Sequence, residues 1–407
     1  MVLWLVRHAV LGIATIPFIY YLIVLFSSWR FFQTSSKPSE SNTDFTPPVS
    51  ILKPVRGLDP CAYDNFASFC RQDYPEYEIV FCVGDASDPV LPAIEKLVRD
   101  FPERSIRILY GSGRVAANDK VAKLVRLVDE AQYETLVIND SDVRAEPGYL
   151  RKVVTPLADP KVGAVTCFYV PTHESSLAQN LQSVGMLSDF YPGILVSWQL
   201  EGVRFALGPT IATTRKRLAG FGGYEAIENM PGDDLLVGRL IAEKGYEVRL
   251  LSYSVLTVDD FASFHDLFQK RLRWIVVMRH MRGRGHIGLI FTLGLPWTLI
   301  GMAASPSAAV AIGFVGVYLA LRFAMTLLIG NWGLKYPVGW KKLMLIPVWD
   351  AMASLIWLVS FTRSTIRWRG HDYYIREGQL VPADAAAVAE LESLRDPAIS
   401  NKPASVK

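Results

Sequence analysis

Seventeen consecutive residues, Val10 to Phe26 (VLGIATIPFIYYLIVLF), carry no charge. A run of that length is near the minimum for a helix that crosses the hydrocarbon core of a bilayer. No small-residue cleavage site follows it, so it reads as an uncleaved anchor and not as the apolar part of a signal peptide. Trp29 and Arg30 then stand where the following interface belongs. Three further apolar stretches lie near the other end, Ile287 to Ala304, Ala308 to Ile329 and Leu343 to Phe361. The first holds Gly294 and Pro296 and reads as re-entrant or interfacial. The last carries Asp350 near its centre, a carboxylate too costly at that depth unless it faces other helices or a polar cavity. The 51% hydrophobic content of the 407 residues is concentrated in these two regions, around a soluble centre. A net charge of +3 is too small to argue for a nucleic-acid partner.

The centre has a different rhythm. After a polar, Ser- and Pro-rich linker (Thr34 to Pro48), strands alternate with amphipathic segments: VSILKPV (49–55), EIVFCVGD (78–85), a helix over Leu91 to Asp100, IRILYGS (106–112), a helix near Val121 to Glu130, TLVI from Thr135, and VGAVTCFYV (162–170). This alternation predicts βαβ units and a mostly parallel sheet. Neither G-x-G-x-x-G nor a Walker A sequence occurs, which argues against the usual dinucleotide and ATP sites. The four cysteines, Cys61, Cys70, Cys82 and Cys167, form no C-x-x-C pair and read as free buried thiols in a reducing compartment.

Two acidic strand ends fall at the rim where open α/β sheets keep their ligands, and a third acidic point heads a helix. Asp85 ends the second strand. The fourth ends in Asn139-Asp140-Ser141-Asp142, and side chains at i and i+2 of an extended strand point the same way. Asp140 and Asp142 are therefore candidates for one hard cation, Mg²⁺ or Mn²⁺, shared with a diphosphate. Gly232-Asp233-Asp234 opens the amphipathic stretch LLVGRLIAEKGY, closed by Gly245; Asp233 is expected to cap the helix, leaving Asp234 spare. Between Phe261 and Arg284, Lys270, Arg271, Arg273, Arg279, Arg282 and Arg284 are set among large apolar residues, the composition of a helix lying on an anionic membrane surface. Arg363 to Arg376 is basic and aromatic, and the last thirty residues are polar and Ala-rich.

The order K-P-V-R-G-L-D-P, G-D-A-S-D-P, N-D-K, D-S-D-V-R, G-D-D-L-L, K-R-L-R-W resembles the ceramide glucosyltransferase family of inverting glycosyltransferases. That family includes bacterial glycolipid enzymes and hopanoid-biosynthesis glycosyltransferases, and the likeness runs from about Val10 to the W-R-G segment at 368–370. The resemblance implies an α/β nucleotide-sugar fold of the GT-A type with one N-terminal and two to three C-terminal transmembrane segments, its catalytic domain cytoplasmic. It implies a UDP-sugar donor, Mg²⁺ or Mn²⁺, a lipid acceptor such as ceramide or a hopanoid, and no nucleic acid. By position, Asp85 would hold the uridine, Asp140 and Asp142 the metal-bound diphosphate, and Asp234 would be the general base. Lys120 and Lys270 would join the donor-binding set, and Arg273 and Trp274 the catalytic one. Lys270 stands where the family's motif begins with Gln or Arg, Asp142 where eukaryotic members have Gly, and Tyr191-Pro192 where they have His-Pro.

The implied organisation is an anchor over 1–30, a linker over 31–48, a catalytic domain over 49–260, an interfacial helix over 261–285, a membrane region over 286–362, and a cytoplasmic basic segment with a mobile tail over 363–407. Glucose transfer to ceramide is the leading expectation. The alternatives are transfer from UDP-GlcNAc to a hopanoid or other lipid, and an inactive sugar-nucleotide-binding membrane protein.

Overall fold

The computed structural model describes residues 1–35, 45–258, 263–368 and 371–383. Most of the linker, the junction at 259–262, the W-R-G end at 369–370 and the tail from 384 lie outside the described residues. The chain forms two units. One gathers Pro38–His173, Val203–Asp260 and Arg367–Lys407; the other gathers Met1–Lys37, Glu174–Gly202 and Phe261–Ile366. Residues 174–202, expected inside the catalytic stretch, therefore belong with the flanking helices.

The first unit is built on an eight-stranded sheet: β1 (Val49–Pro54), β2 (Tyr77–Val83), β3 (Ser105–Tyr110), β4 (Thr135–Ile138), β5 (Val143–Arg144), β6 (Val162–Pro171), β7 (Ile211–Thr214) and β8 (Glu247–Thr257), in the order β3-β2-β1-β4-β7-β6-β8-β5. β1 pairs in parallel with β2 and β4, β2 with β3, and β6 with β8, while β7 runs antiparallel to β4 and β6. Every residue of β1, β2 and β4 is buried, as expected of strands covered on both faces. Helix Leu91–Asp100 adds Leu91, Ile94 and Leu97 to a core that includes Ile51, Phe66, Phe81, Val137 and Tyr149.

β5, β7 and β8 have no clear signature in the sequence. β5 and β7 are two and four residues long, and β8 interrupts its apolar positions with Arg249, Ser252 and Ser254. The segment read only as basic and aromatic contains strands: His371–Arg376 pairs antiparallel with Gln379–Pro382. The connecting Glu377 and Gly378 both have positive φ, 51° and 80°, the pattern of a type I′ hairpin turn. Cys70, Cys82 and Cys167 are buried free thiols, whereas Cys61 is exposed.

Among the described residues of the second unit, three helical segments are long and apolar enough to cross a membrane: Val2–Ser35, Ala308–Gly333 and Trp340–Ser360. Gly283–Phe291 and Gly294–Ala304, bent by 44° at their junction, make a fourth if counted as one span. The N-terminal helix starts at Val2, well before the apolar run that announced it. Asp350 is 5% exposed and paired with Arg322. Tyr318 donates to it at 2.7 Å, and Arg322 also reaches Ser188 on the π-helical turn Met186–Phe190.

Helix Phe264–Met281 departs from the picture of a row of cations facing a membrane. Arg271 is buried, donating to Gln182 Oε1 at 2.9 Å, with its guanidinium 4.8 Å from the Trp274 ring and 4.7 Å from that of Trp349. Arg279 donates to the carbonyls of Ser360 and Arg363. These two cations serve packing, and only part of the charge is left for a surface.

Candidate active site

β4 ends at Ile138, two residues before the first carboxylate. Asp140, Ser141 and Asp142 lie in the turn before β5, so the strand-alternation argument for their convergence does not hold. The turn is set by its neighbours instead. Asn139, fully buried, donates to Pro209 O at 2.7 Å and to Tyr149 Oη at 2.8 Å. Ser141 donates to Asp59 in the loop after β1. The Gly57 N–H of that loop donates to Asp88 Oδ1 at 3.0 Å, joining it to the loop after β2.

Two lysines face the turn. Lys53, buried at the end of β1, donates to Asp140 O at 3.2 Å and lies 3.5 Å from the centroid of the Phe69 ring. Burial pushes its ammonium down to about 7, against the upward pull of Asp140 and Asp142. Lys120, in the first turn of helix Asp119–Glu130, bridges Asp140 Oδ1 at 2.7 Å and Asp233 Oδ2 at 3.0 Å. Burial works against its charge, but Asp140, Asp233 and Asp234 prevail and hold it well above the ordinary lysine range.

The third acidic point arrives at the same place by a different route from the one expected. The N-cap of helix Asp233–Glu243 is Gly232 in the left-handed conformation, with no side-chain cap. Asp233 is buried against Lys120 and does not cap the helix. Asp234 Oδ2 accepts from the Gly208 N–H at 3.0 Å and Oδ1 from the Leu235 N–H at 2.8 Å. Burial, then the neighbouring Asp233 charge, push the Asp234 carboxyl up to about 6.

Gly208 stands between the two groups: a β-carbon there would be 3.2 Å from both Asp140 Oδ2 and Asp234 Oδ2. The Gly208 loop is held from below, since Thr166 Oγ1 donates to Thr210 O at 2.8 Å and accepts from the Leu207 N–H at 2.9 Å.

Asp85 is exposed just past β2, where Ser87 donates to it through its hydroxyl and its N–H, bonds that hold the carboxyl below the usual range. Lys270, Arg273 and Trp274 lie on helix Phe264–Met281 in the helical unit, where the Trp274 ring packs 5.7 Å from that of Phe190. The structure thus gathers Lys120, Asp140, Asp233 and Asp234 tightly, with Asp142 two residues along the same turn.

The sequence model of the family described as Glycosyl transferase family 21 matches residues 9–381. The chain belongs to that family. It is therefore a glycosyltransferase. It is 22% identical over 389 residues to Ceramide glucosyltransferase 3 of Caenorhabditis elegans, across 92% of this chain and 82% of that one. Ceramide glucosyltransferase of Komagataella phaffii is 33% identical over 154 residues, 36% of this chain and 30% of its own. Among solved structures, the mannosyltransferase PcManGT of Pyrobaculum calidifontis, in complex with GDP-Man and Mn²⁺, superposes with a TM-score of 0.52 at 18% identity, covering 86% of this chain and 99% of that one. That likeness is one of fold, and it agrees with the mixed, mostly parallel GT-A sheet.

For this member of glycosyl transferase family 21, the donor set decides which cation the turn suits. Among the described residues no three His, Cys, Asp or Glu side chains gather as a self-sufficient metal site. Asp140 and Asp142 supply only hard oxygen ligands, and few of them, the partial set that Mg²⁺ or Mn²⁺ takes when substrate phosphates and water complete the shell. The residues fit a cation that arrives with, and is shared by, a diphosphate. Sequence reasoning assigned no role to Lys53, Asp59, Asp88, Asn139 or Gly208. Lys53, Asp59 and Asp88 sit inside the K-P-V-R-G-L-D-P and G-D-A-S-D-P blocks, so a signal was present; Gly208 had none.

Proposed function

We propose that the protein transfers a sugar, glucose being the first choice, from a UDP-sugar to the hydroxyl of a membrane lipid such as ceramide, with inversion at the sugar carbon. The observation that carries the reading is Asp234, fixed through both oxygens beside Asp233, which Lys120 joins to the Asp140 turn. A carboxyl near 6 is ionised at neutral pH yet basic enough to take a proton as it is lost. Asp234 removes the acceptor hydroxyl's proton while that oxygen attacks the anomeric carbon. The bond to the diphosphate breaks on the opposite face, and UDP leaves with the electron pair. Asp234 then releases its proton to solvent.

Lys120 is placed to share its ammonium with the leaving diphosphate. When bound at Asp140 and Asp142, Mg²⁺ or Mn²⁺ would neutralise charge on the same group. Asp85 is assigned to the uridine, Lys270 to donor binding, and Arg273 and Trp274 to the reaction, on motif alone. The apolar helices suit an acceptor that never leaves the bilayer, and a cytoplasmic catalytic unit gives access to soluble UDP-sugars.

The test is radiolabelled transfer by membranes containing the full chain, offering ceramide, diacylglycerol and hopanoid acceptors against UDP-glucose and UDP-GlcNAc. Transfer to one of these lipids, lost in excess EDTA, is expected. Full activity in EDTA would remove the cation from the reading, and no transfer with any pair would remove the lipid-glycosylating activity.

A further inference from the structure

Lys120 does more in this structure than lie near a diphosphate site. Its ammonium spends one N–H on Asp140 Oδ1 at 2.7 Å and another on Asp233 Oδ2 at 3.0 Å. The remaining donor is available, because an ammonium has three. The lysine is also held at its base. Asn118, which caps its helix, donates through Nδ2 to Met230 O at 2.9 Å, and the Ala117 N–H donates to Asn229 Oδ1 at 2.9 Å. The Asn118 N–H donates in turn to Glu228 O at 3.1 Å. The start of the Lys120 helix and the chain leading into Asp233 thus form one brace, and the ammonium is fixed at both ends.

Asp140 is engaged by the ammonium through one oxygen and confined at the other. Oδ1 accepts the ammonium, and Oδ2 faces Gly208, where even a β-carbon would come within 3.2 Å. A carboxylate oxygen that accepts a charged donor at 2.7 Å does not present the same lone pair to a second cation, and two cations on one carboxylate repel each other. A diphosphate brings the negative charge needed to draw the ammonium away.

We propose that Lys120 is a resident competitor for the cation site: without a donor its ammonium holds Asp140, and the donor's diphosphate takes the ammonium over and opens Asp140 to Mg²⁺ or Mn²⁺. The inference rests on the reading of Asp140 and Asp142 as the cation's ligands. Its consequence is positive coupling between nucleotide and metal beyond their direct contact, and coupling of this kind is reciprocal. The metal would bind poorly to the empty enzyme and would not be held idle between turnovers.

The experiment measures Mn²⁺ affinity of the full chain in detergent, by the EPR signal of free Mn²⁺, with and without UDP. The wild-type protein is expected to bind Mn²⁺ weakly alone and to gain a factor within the usual coupling range of about 5–150 when UDP is present. Lys120→Met should bind Mn²⁺ at least about fivefold more tightly without UDP, and its gain on adding UDP should shrink by a similar factor. If Lys120→Met loses helical content, Lys120→Gln takes its place with the same expectation.

Unchanged UDP-free affinity in the variant would overturn the proposal. So would equal tightening with and without UDP, which is the result of merely deleting a charge. Absence of Mn²⁺ binding by every protein in both conditions would overturn the cation reading itself and this inference with it.

Discussion

The Gly208 N–H donates to Asp234 Oδ2 at 3.0 Å, while a β-carbon on Gly208 would stand 3.2 Å from that same oxygen and from Asp140 Oδ2. One residue both orients Asp234, the proposed base, and lies close to both carboxylates. Gly208→Ala should leave the fold intact, because the neighbours need to give by only a few tenths of an ångström. It should lower kcat on the order of tenfold, short of the about 10²-fold that a 1 Å misplacement costs. Steady-state kinetics with circular dichroism alongside checks this, and an unaltered kcat would count against the positioning role.

Asp234→Asn and Asp233→Asn should fail differently. General-base contributions run about 10²–10⁴-fold, so Asp234→Asn is expected to lose at least that much turnover and still bind UDP. Asp233 is buried against Lys120 and caps nothing, so the Asn variant weakens one anchor of the ammonium. Its effect should appear mainly in donor KM. The reverse pattern would exchange the two roles.

The pH profile follows from the Asp234 carboxyl at about 6. With Asp234 as the proposed base, turnover would need the ionised form, so kcat/KM should rise with pH through about 6 and flatten above it. Stability carries the opposite sign. The folded-state value lies above the ordinary 3.8, so between those two values the folded protein binds more protons than the unfolded chain. This group's contribution to stability therefore grows as pH falls through the window in which activity is lost. An acid limb unchanged in Asp234→Asn membranes would assign it to another group.

In the helical unit, Asp350→Asn would leave the buried Arg322 without its charge partner. Removing one member of a buried pair costs about 3–5 kcal/mol, whereas replacing both with apolar groups of similar volume is often neutral. Asp350→Leu combined with Arg322→Met should therefore recover much of what either single change loses. Thermal aggregation in detergent gives the order, and a double variant worse than both singles would point to a role beyond packing.

The parallel half of the sheet was legible because β1, β2 and β4 carry mostly apolar residues on both faces, which burial on both faces explains. β7 was not, since four residues reading IATT have no period to detect, and their place is set by pairing with β4 and β6. Residue type and order singled out Asp140, Asp142 and Asp234 as candidates, but strand geometry does not place the D-x-D pair: its turn is held by Asn139 and Ser141 across long sequence separations. The capping role given to Asp233 failed because Gly232 takes up the left-handed N-cap position itself. The interfacial reading of the basic helix overlooked that Arg271 and Arg279 are cations with internal partners.

The chain leaves the sheet after β6, contributes 174–202 to the helical unit, and returns to lay down β7 beside β4. Cutting away both ends of the protein is therefore not expected to release a water-soluble enzyme. The fragment would still carry the helices Leu177–Gly185 and Tyr191–Glu201, whose Leu181, Val184 and Leu195 are buried in the whole molecule. Gly185 is packed so closely that a β-carbon would meet the Trp349 ring at 2.2 Å, and that ring would be gone. A soluble catalytic core has to be made by splicing a short connection in place of the excursion, and the catalytic sheet is bound to the hydrophobic helices by the path of its own backbone.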